Sequence, residues 1–204
     1  MSEFSNFHVV LLAAGLSSRM GAVNKLMISF GDQPLIRRSA DLYCSLGMNV
    51  IVVLGHEAEA VKSALDGLPL KTVFNPSYKT GQQSSVHIGL KKTNLIGDGL
   101  LMALADQPLL THEDIANYCR AFYAGGATKI MVPYFGERRG NPVLFPLKIA
   151  LKIQADDKMI GCRDFIDLNP HLVRRYKDAS EGFVSDMDKL EQVEDHLSRF
   201  RERL

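Results

Sequence analysis

The apolar positions of this chain fall into short uninterrupted runs, separated by stretches where they recur every three or four residues. Val9, Val10, Leu11 and Leu12 have no polar residue among them, the pattern of a strand buried on both faces. Strands are predicted at 9–13 (VVLLA), 50–54 (VIVVL), 72–74 (TVF), 100–104 (LLMAL) and 130–133 (IMVP). Between them, Leu35, Ser39, Leu42 and Leu46 follow helical spacing, as do Ala58, Val61 and Leu65. Thr111 is a predicted N-cap with Asp114 three residues on, and Ile115, Tyr118, Cys119 and Phe122 form the apolar face of the helix behind it. Leu190, Val193, Leu197 and Phe200 predict a late amphipathic helix whose other face is charged. Strands alternating with helices predict an α/β fold, a Rossmann-like, mainly parallel sheet with helices on both faces, over one domain, 1–204. After Pro133 the rhythm changes. VPYFGERRGNPVLFP reads as strand, Gly-containing turn and strand, a β-hairpin insertion in the βα series.

Composition narrows the class of partner. At 204 residues the chain has ample material for a core, and 46% hydrophobic with 23% charged content is ordinary for a globular protein. A net charge of +1 offers no global attraction for nucleic acid or an anionic membrane. Cys44, Cys119 and Cys162 lie far apart without a CxxC, against a structural zinc site and in favour of a reducing compartment. The opening MSEFSNFH lacks a basic segment followed by an apolar core, and no apolar run approaches the ~18 residues of a membrane span, so a cytoplasmic location is expected.

Candidate chemistry gathers where the predicted strands end, the usual ligand-binding edge of such sheets. The first strand runs into Ala14-Gly15, then a loop of small residues (Gly15, Ser17, Ser18, Gly21) with two cations, Arg19 and Lys25. Small residues let backbone N–H groups approach an anion, and the cations neutralise it. The loop lacks the GxxxxGK[ST] of a P-loop and the GxGxxG of a dinucleotide site, which speaks against a dehydrogenase. Asp106, at the end of the 100–104 run and before Gln107-Pro108, either caps a turn or holds a hard cation. The segment 80–86 (TGQQSSV) precedes a helix, and its hydroxyls serve either as caps or as hydrogen-bond partners of a base or ribose. Arg138-Arg139 lies in the hairpin, either as a solvated tip or facing a phosphate that a guanidinium pairs with two-pronged geometry. The six histidines fall in no metal or nucleophile pattern.

Together these segments resemble one family. VVLLAAGLSSRMG with Lys25, MALADQP, GQQSSVHIGL, RGNPVLF, Gly161-Cys162-Arg163 and the late Ser185-Asp186-Met187-Asp188 resemble the MobA-like nucleotidyltransferases, above all the molybdopterin cytidylyltransferase branch. The resemblance implies a fold of the nucleotide-diphospho-sugar transferase type. It implies an enzyme that moves a nucleoside monophosphate, CMP from CTP, onto a phosphorylated acceptor such as molybdopterin, releasing pyrophosphate. Arg19 and Lys25 would be catalytic, on the outer phosphates and the α-phosphate. Leu12, Ala13, Ala14, Gly15, Asn75, Gly81, Gln82 and Ser85 would bind the nucleotide. Arg139 and Asn141 would face the acceptor, and Asp106 and Asp186 would hold Mg²⁺, with Asp188 an acid at a helix N-terminus. The late segment departs from the family, which continues Thr-Pro where Lys189-Leu190 stand here. The resemblance further implies transient contact with a molybdoenzyme or its chaperone. Within the same fold a sugar phosphate or other acceptor is the rival reading, and outside it a non-catalytic nucleotide-binding protein that handles a cofactor.

Overall fold

The computed structural model describes residues 2–17, 20–21, 23–156, 162–189 and 191–202. In chain order the elements are β1 (Phe7–Ala13), β2 (Ser29–Phe30), β3 (Gln33–Pro34), α1 (Leu35–Cys44), β4 (Asn49–Leu54), α2 (Ala58–Ala64), β5 (Leu70–Phe74), α3 (Gln82–Lys92) and β6 (Gly99–Leu104). Then follow α4 (His112–Ala124), β7 (Ile130–Phe135), β8 (Arg138–Arg139), β9 (Val143–Pro146), α5 (Leu147–Ala155), α6 (Cys162–Leu168), β10 (Val173–Tyr176) and α7 (Glu191–Arg201).

The main sheet has the order β10-β7-β9-β6-β1-β4-β5. β1 is central and pairs in parallel with β4 and β6. Its alternate residues serve two cores. Val9, Leu11 and Ala13 pack with Ile36 and Tyr43 of α1, Val61 of α2 and Ile115 of α4. Val10 and Leu12 pack on the opposite face with Val86 and Leu90 of α3, Ile149 and Ile153 of α5 and Ile166 of α6. The apolar run from Val9 to Ala13 is therefore covered by helices on both sides, as its lack of polar residues requires.

The predicted strands form, each longer than its apolar run by one or two residues. β1 and β5 each begin two residues earlier, at Phe7 and Leu70. The helix at Leu35 stops at Cys44, and Leu46 lies beyond it, partly buried against the core. Thr111 caps α4 in a full capping box with Asp114. The hairpin forms between β7 and β8, with Tyr134 opposite Arg139. Its returning chain then becomes β9, lying antiparallel between β6 and β7. The segment after the turn is thus a strand of the main sheet, which anchors the hairpin beside the carboxyl end of β6.

Candidate functional site

The carboxyl ends of β1 and β6 lie side by side, so the loops leaving them share an edge. Backbone pairing continues past β6, with Ala105 N–H donating to Leu12 C=O at 3.2 Å. Beyond that point the chain leaves β1 through Ala14 and Gly15, and β6 through Asp106. A cavity of about 300 Å³ opens between them, lined by Leu12, Ala13, Ala14 and Gly15 on one side and Leu104 and Asp106 on the other.

Lys25 reaches this edge from the first residue of a short 3₁₀ turn, Lys25–Met27. Asn24 caps that turn through Leu26 N–H at 3.1 Å and donates its amide to Glu57 at 2.9 Å, which fixes where Lys25 starts. The Lys25 ammonium donates to Asp106 and, at 3.1 Å, to Asp188. Burial works against its charge, but the two carboxylates more than offset that and hold its pKa above the ordinary lysine value.

The late acidic segment is positioned by Met187. That side chain is fully buried with Met20, Leu109 and Phe200, and its N–H donates to the Asp106 carbonyl at 2.9 Å. The residues on either side turn back toward the site. Asp186 accepts from Gln107 Nε2 at 2.9 Å, and Asp188 pairs with Lys25. Expected as an acid for a helix N-terminus, Asp188 is instead a member of the charged cluster, because the inward anchoring of Met187 brings it to Lys25. Desolvation, with the nearby charge of Asp106, pushes the Asp186 carboxyl up to about 6.

These acids fit a divalent cation. Asp106 Oδ1 is buried with no hydrogen-bond partner, an acceptor left open beside Asp186. Among the described residues no group of three or more His, Cys, Asp or Glu is gathered tightly enough to hold a metal by itself. Two carboxylates supplemented by substrate phosphates and water are a characteristic Mg²⁺ environment.

The wall opposite Asp106 comes from the start of α3. Gly89 seats that helix, since a Cβ there would lie 2.5 Å from Val10 Cγ1 and 2.9 Å from Val53 Cγ2. The close approach brings Gly81, Gln82 and Ser85 to the cavity. Gly81 itself occupies the cap position, at φ 117°, and no side chain caps the helix. The hydroxyls therefore are not caps: Ser84 donates to the Gly81 and Ser77 carbonyls, at 2.8 and 3.0 Å. Asn75 does not line this cavity. It is 2% exposed, and its amide donates to Ser84 and Ser85 at 2.9 Å each, which sets it behind Ser85. Tyr78 and Lys79 line the cavity as well, which spacing gave no reason to expect.

A second cavity, of about 350 Å³, adjoins the first and shares Leu12, Gln82 and Leu104 with it. Arg139 and Asn141 line it from the hairpin, and Cys162, Arg163 and Asp164 from α6. Arg139 is ion-paired with Asp167 at 2.9 Å, and Gln83 donates to Asp164 at 3.2 Å, so α6 is tied across this cavity. Arg138 instead donates to the Val184 carbonyl at 2.7 Å and braces the hairpin. Gly140 allows the hairpin to lie against the late loop, since a Cβ would sit 2.2 Å from the Phe183 carbonyl. That same carbonyl accepts from Asn141 N–H at 2.8 Å and from Gln107 Nε2 at 2.9 Å. Arg19 and Gly161 lie outside the described residues.

The structure thus brings Lys25, Asp106, Asp186, Gly15, Gly81, Gln82, Ser85, Arg139 and Asn141 to one sheet edge. Sequence reasoning missed Gln107, Asn24 and the pairing of Asp188. ADQP held the signal for Gln107, since a polar side chain between Asp106 and a strand-ending proline has few ways to be buried except by binding its neighbours.

A nucleotide-handling α/β fold with a cation-ready acid cluster is the class that this geometry defines. The chain belongs to the MobA-like NTP transferase domain family, which matches residues 9–176. Nicotine blue oxidoreductase of Paenarthrobacter nicotinovorans is 26% identical over 193 residues, covering 90% of this chain and 93% of that one. The crystal structure of Rv0371c from Mycobacterium tuberculosis H37Rv is similar at a TM-score of 0.75 and 25% identity, over 96% of this chain and 98% of that one. A nucleotidyl transferase from Methanothermobacter thermautotroptrophicus shares the fold at a TM-score of 0.77 and 21% identity, covering 97% and 99%. No helix among the described residues is long and apolar enough to cross a membrane.

Proposed function

We propose that this protein, acting as a single domain, transfers a nucleoside monophosphate from CTP to a phosphorylated acceptor, with molybdopterin as the acceptor, and releases pyrophosphate. The observation that carries the reading is the Lys25–Asp106–Asp188 cluster beside Asp186, with Lys25 and Asp106 lining one of two adjoining cavities. One cavity suits a donor nucleotide and the other an acceptor, and an in-line displacement needs its two reactants on either side of the reacting phosphorus.

In this reading the backbone of Leu12, Ala13, Ala14 and Gly15 and the Gly81, Gln82 and Ser85 segment hold the nucleotide. Lys25 sits at the α-phosphate, where negative charge accumulates as the acceptor attacks, and Arg19 holds the outer phosphates. Asp106 and Asp186 hold Mg²⁺, which supplies charge neutralisation to the phosphates. Arg139 and Asn141 orient the acceptor phosphate. No side chain is covalently modified. Ala14 stands where guanylyl transferases of this fold carry a second glycine, which favours a donor other than GTP. Delivery of the product to a molybdoenzyme or its chaperone, in the cytoplasm, follows from the choice of acceptor.

The relative of nearly equal length is named for an oxidoreductase, so redox chemistry is the second reading. A clustered lysine and three aspartates suit phosphates and a hard cation better than electron transfer. A matrix of the four NTPs against candidate acceptors with Mg²⁺, read as pyrophosphate release, tests the proposal. Release with CTP and molybdopterin supports it. No release with any pair, together with turnover of a redox dye, sinks it.

A further inference from the structure

Lys25 does not point freely into the nucleotide cavity. Its ammonium donates to Asp106 and to Asp188, and its side chain and that of Asp106 are only 13% and 16% exposed. The other oxygen of Asp106 is buried without a partner. One positive charge is therefore shared among carboxylates that, on the reading above, hold a divalent cation. Two cations cannot approach the same carboxylate in a poorly hydrated pocket without strong mutual repulsion. Lys25 also lines the cavity with Gly15 and Leu16, so a route toward bound phosphates is open to it.

We propose that Lys25 is the resident counter-cation of the Asp106–Asp188 pair, and that a divalent cation binds by displacing it toward the triphosphate. This rests on the metal part of the proposed function, but not on the identity of donor or acceptor. In the nucleotide-free protein the ammonium neutralises Asp106 and makes the site a poor one for a cation arriving alone. A nucleotide gives the displaced ammonium a new anionic partner, so cation and nucleotide favour each other's binding. The protein would thereby avoid holding a bare divalent ion with no substrate to act on. The rival account makes Lys25 a fixed strut between the Lys25–Met27 turn and the end of β6, with cation binding indifferent to it.

The test is an Mn²⁺ titration of the nucleotide-free protein, followed by electron paramagnetic resonance, on wild type, Lys25→Met and Lys25→Gln. Lys25→Gln retains a donor toward Asp106 in case Lys25→Met does not fold, and melting in chelator monitors both. Lys62→Met, which removes a lysine from α2, controls for net charge. Removal of the competing ammonium should tighten Mn²⁺ binding by about tenfold or more, against little change in Lys62→Met. Adding Asp106→Asn should abolish the gain. Equal or weaker Mn²⁺ binding in both Lys25 variants overturns the proposal, as does an equal gain in Lys62→Met or no Mn²⁺ binding by any form. Because no turnover is read, tight Mn²⁺ binding in a protein that transfers no nucleotide would reject the transferase reading and leave this inference standing.

Discussion

Gln107 donates its side-chain amide to Asp186 Oδ1 at 2.9 Å while also donating to the Phe183 carbonyl at 2.9 Å. The first residue after Asp106 thus fixes the orientation of the second acid, contributed by a segment about eighty residues away in sequence. The pair joins the two halves of the acidic site through one buried amide.

Gln107→Leu should therefore weaken Mn²⁺ binding by roughly ten- to a hundredfold, the usual cost of losing an outer-shell partner. The contact to Phe183 is lost as well, so stability should also fall. Asp186→Asn in the Gln107→Leu background separates the two effects. If Gln107 acts through Asp186, the second substitution adds little to the loss of Mn²⁺ affinity. Full additivity in a double-mutant cycle would refute the coupling.

Asp106→Asn should leave the fold intact and abolish cation-dependent turnover. The amide matches the carboxylate in shape but lacks the charge that a hard cation requires. It also releases Lys25 from its principal partner. Activity that retained the wild-type Mg²⁺ dependence would remove Asp106 from the cation site.

Asp186 makes stability depend on pH. Its folded carboxyl lies at about 6 against an ordinary 3.8, because it is desolvated and faces Asp106 and Asp188, with Gln107 and Lys25 opposing the shift in part. Between pH 4 and 6 the folded protein keeps a proton that the unfolded chain has released, so the Asp186 contribution to stability falls as pH rises through that window. Below it both states are protonated and the contribution is flat. Asp186→Asn does not titrate. In chelator, its melting temperature relative to wild type should rise from pH 4 to pH 6 and then level off, corresponding to on the order of 2 kcal/mol. A difference independent of pH would place the Asp186 carboxyl at its ordinary value.

Arg139 is held by Asp167, whose side chain is 59% exposed. An exposed pair of this kind contributes little to stability, roughly 0–1 kcal/mol, and is easily exchanged for a phosphate. Asp167→Asn should lower the acceptor KM by up to about fivefold, and Arg139→Ala should raise it, both with kcat and nucleotide KM little changed. Steady-state kinetics with acceptor varied decide it. If both variants match wild type, the hairpin arginine does not contact the acceptor.

Much of the frame was legible in the chain. The runs 9–13 and 50–54 mark β1 and β4 because the part of a strand buried on both faces is apolar throughout, and Thr111 with Asp114 marks a helix start whose chemistry is local. Lys25, Asp106 and Asp186 stand out in the sequence because their neighbours form recognisable segments. What the sequence by itself determined was the alternation of elements and the set of acids and cations placed at their ends. Which of them touch was decided only by the tertiary structure. Asp188 turns to Lys25 because Met187 beside it is anchored in an apolar cluster with Met20, Leu109 and Phe200, residues drawn from three other parts of the chain. Asn75 turns away from the cavity because two serines, nine and ten residues on, take up its amide. The segment after the hairpin becomes a strand between β6 and β7 because backbone groups beside two strands need partners there. Periodicity reports the environment of one element at a time, whereas a side chain's partner depends on elements that meet only once the whole sheet has been assembled.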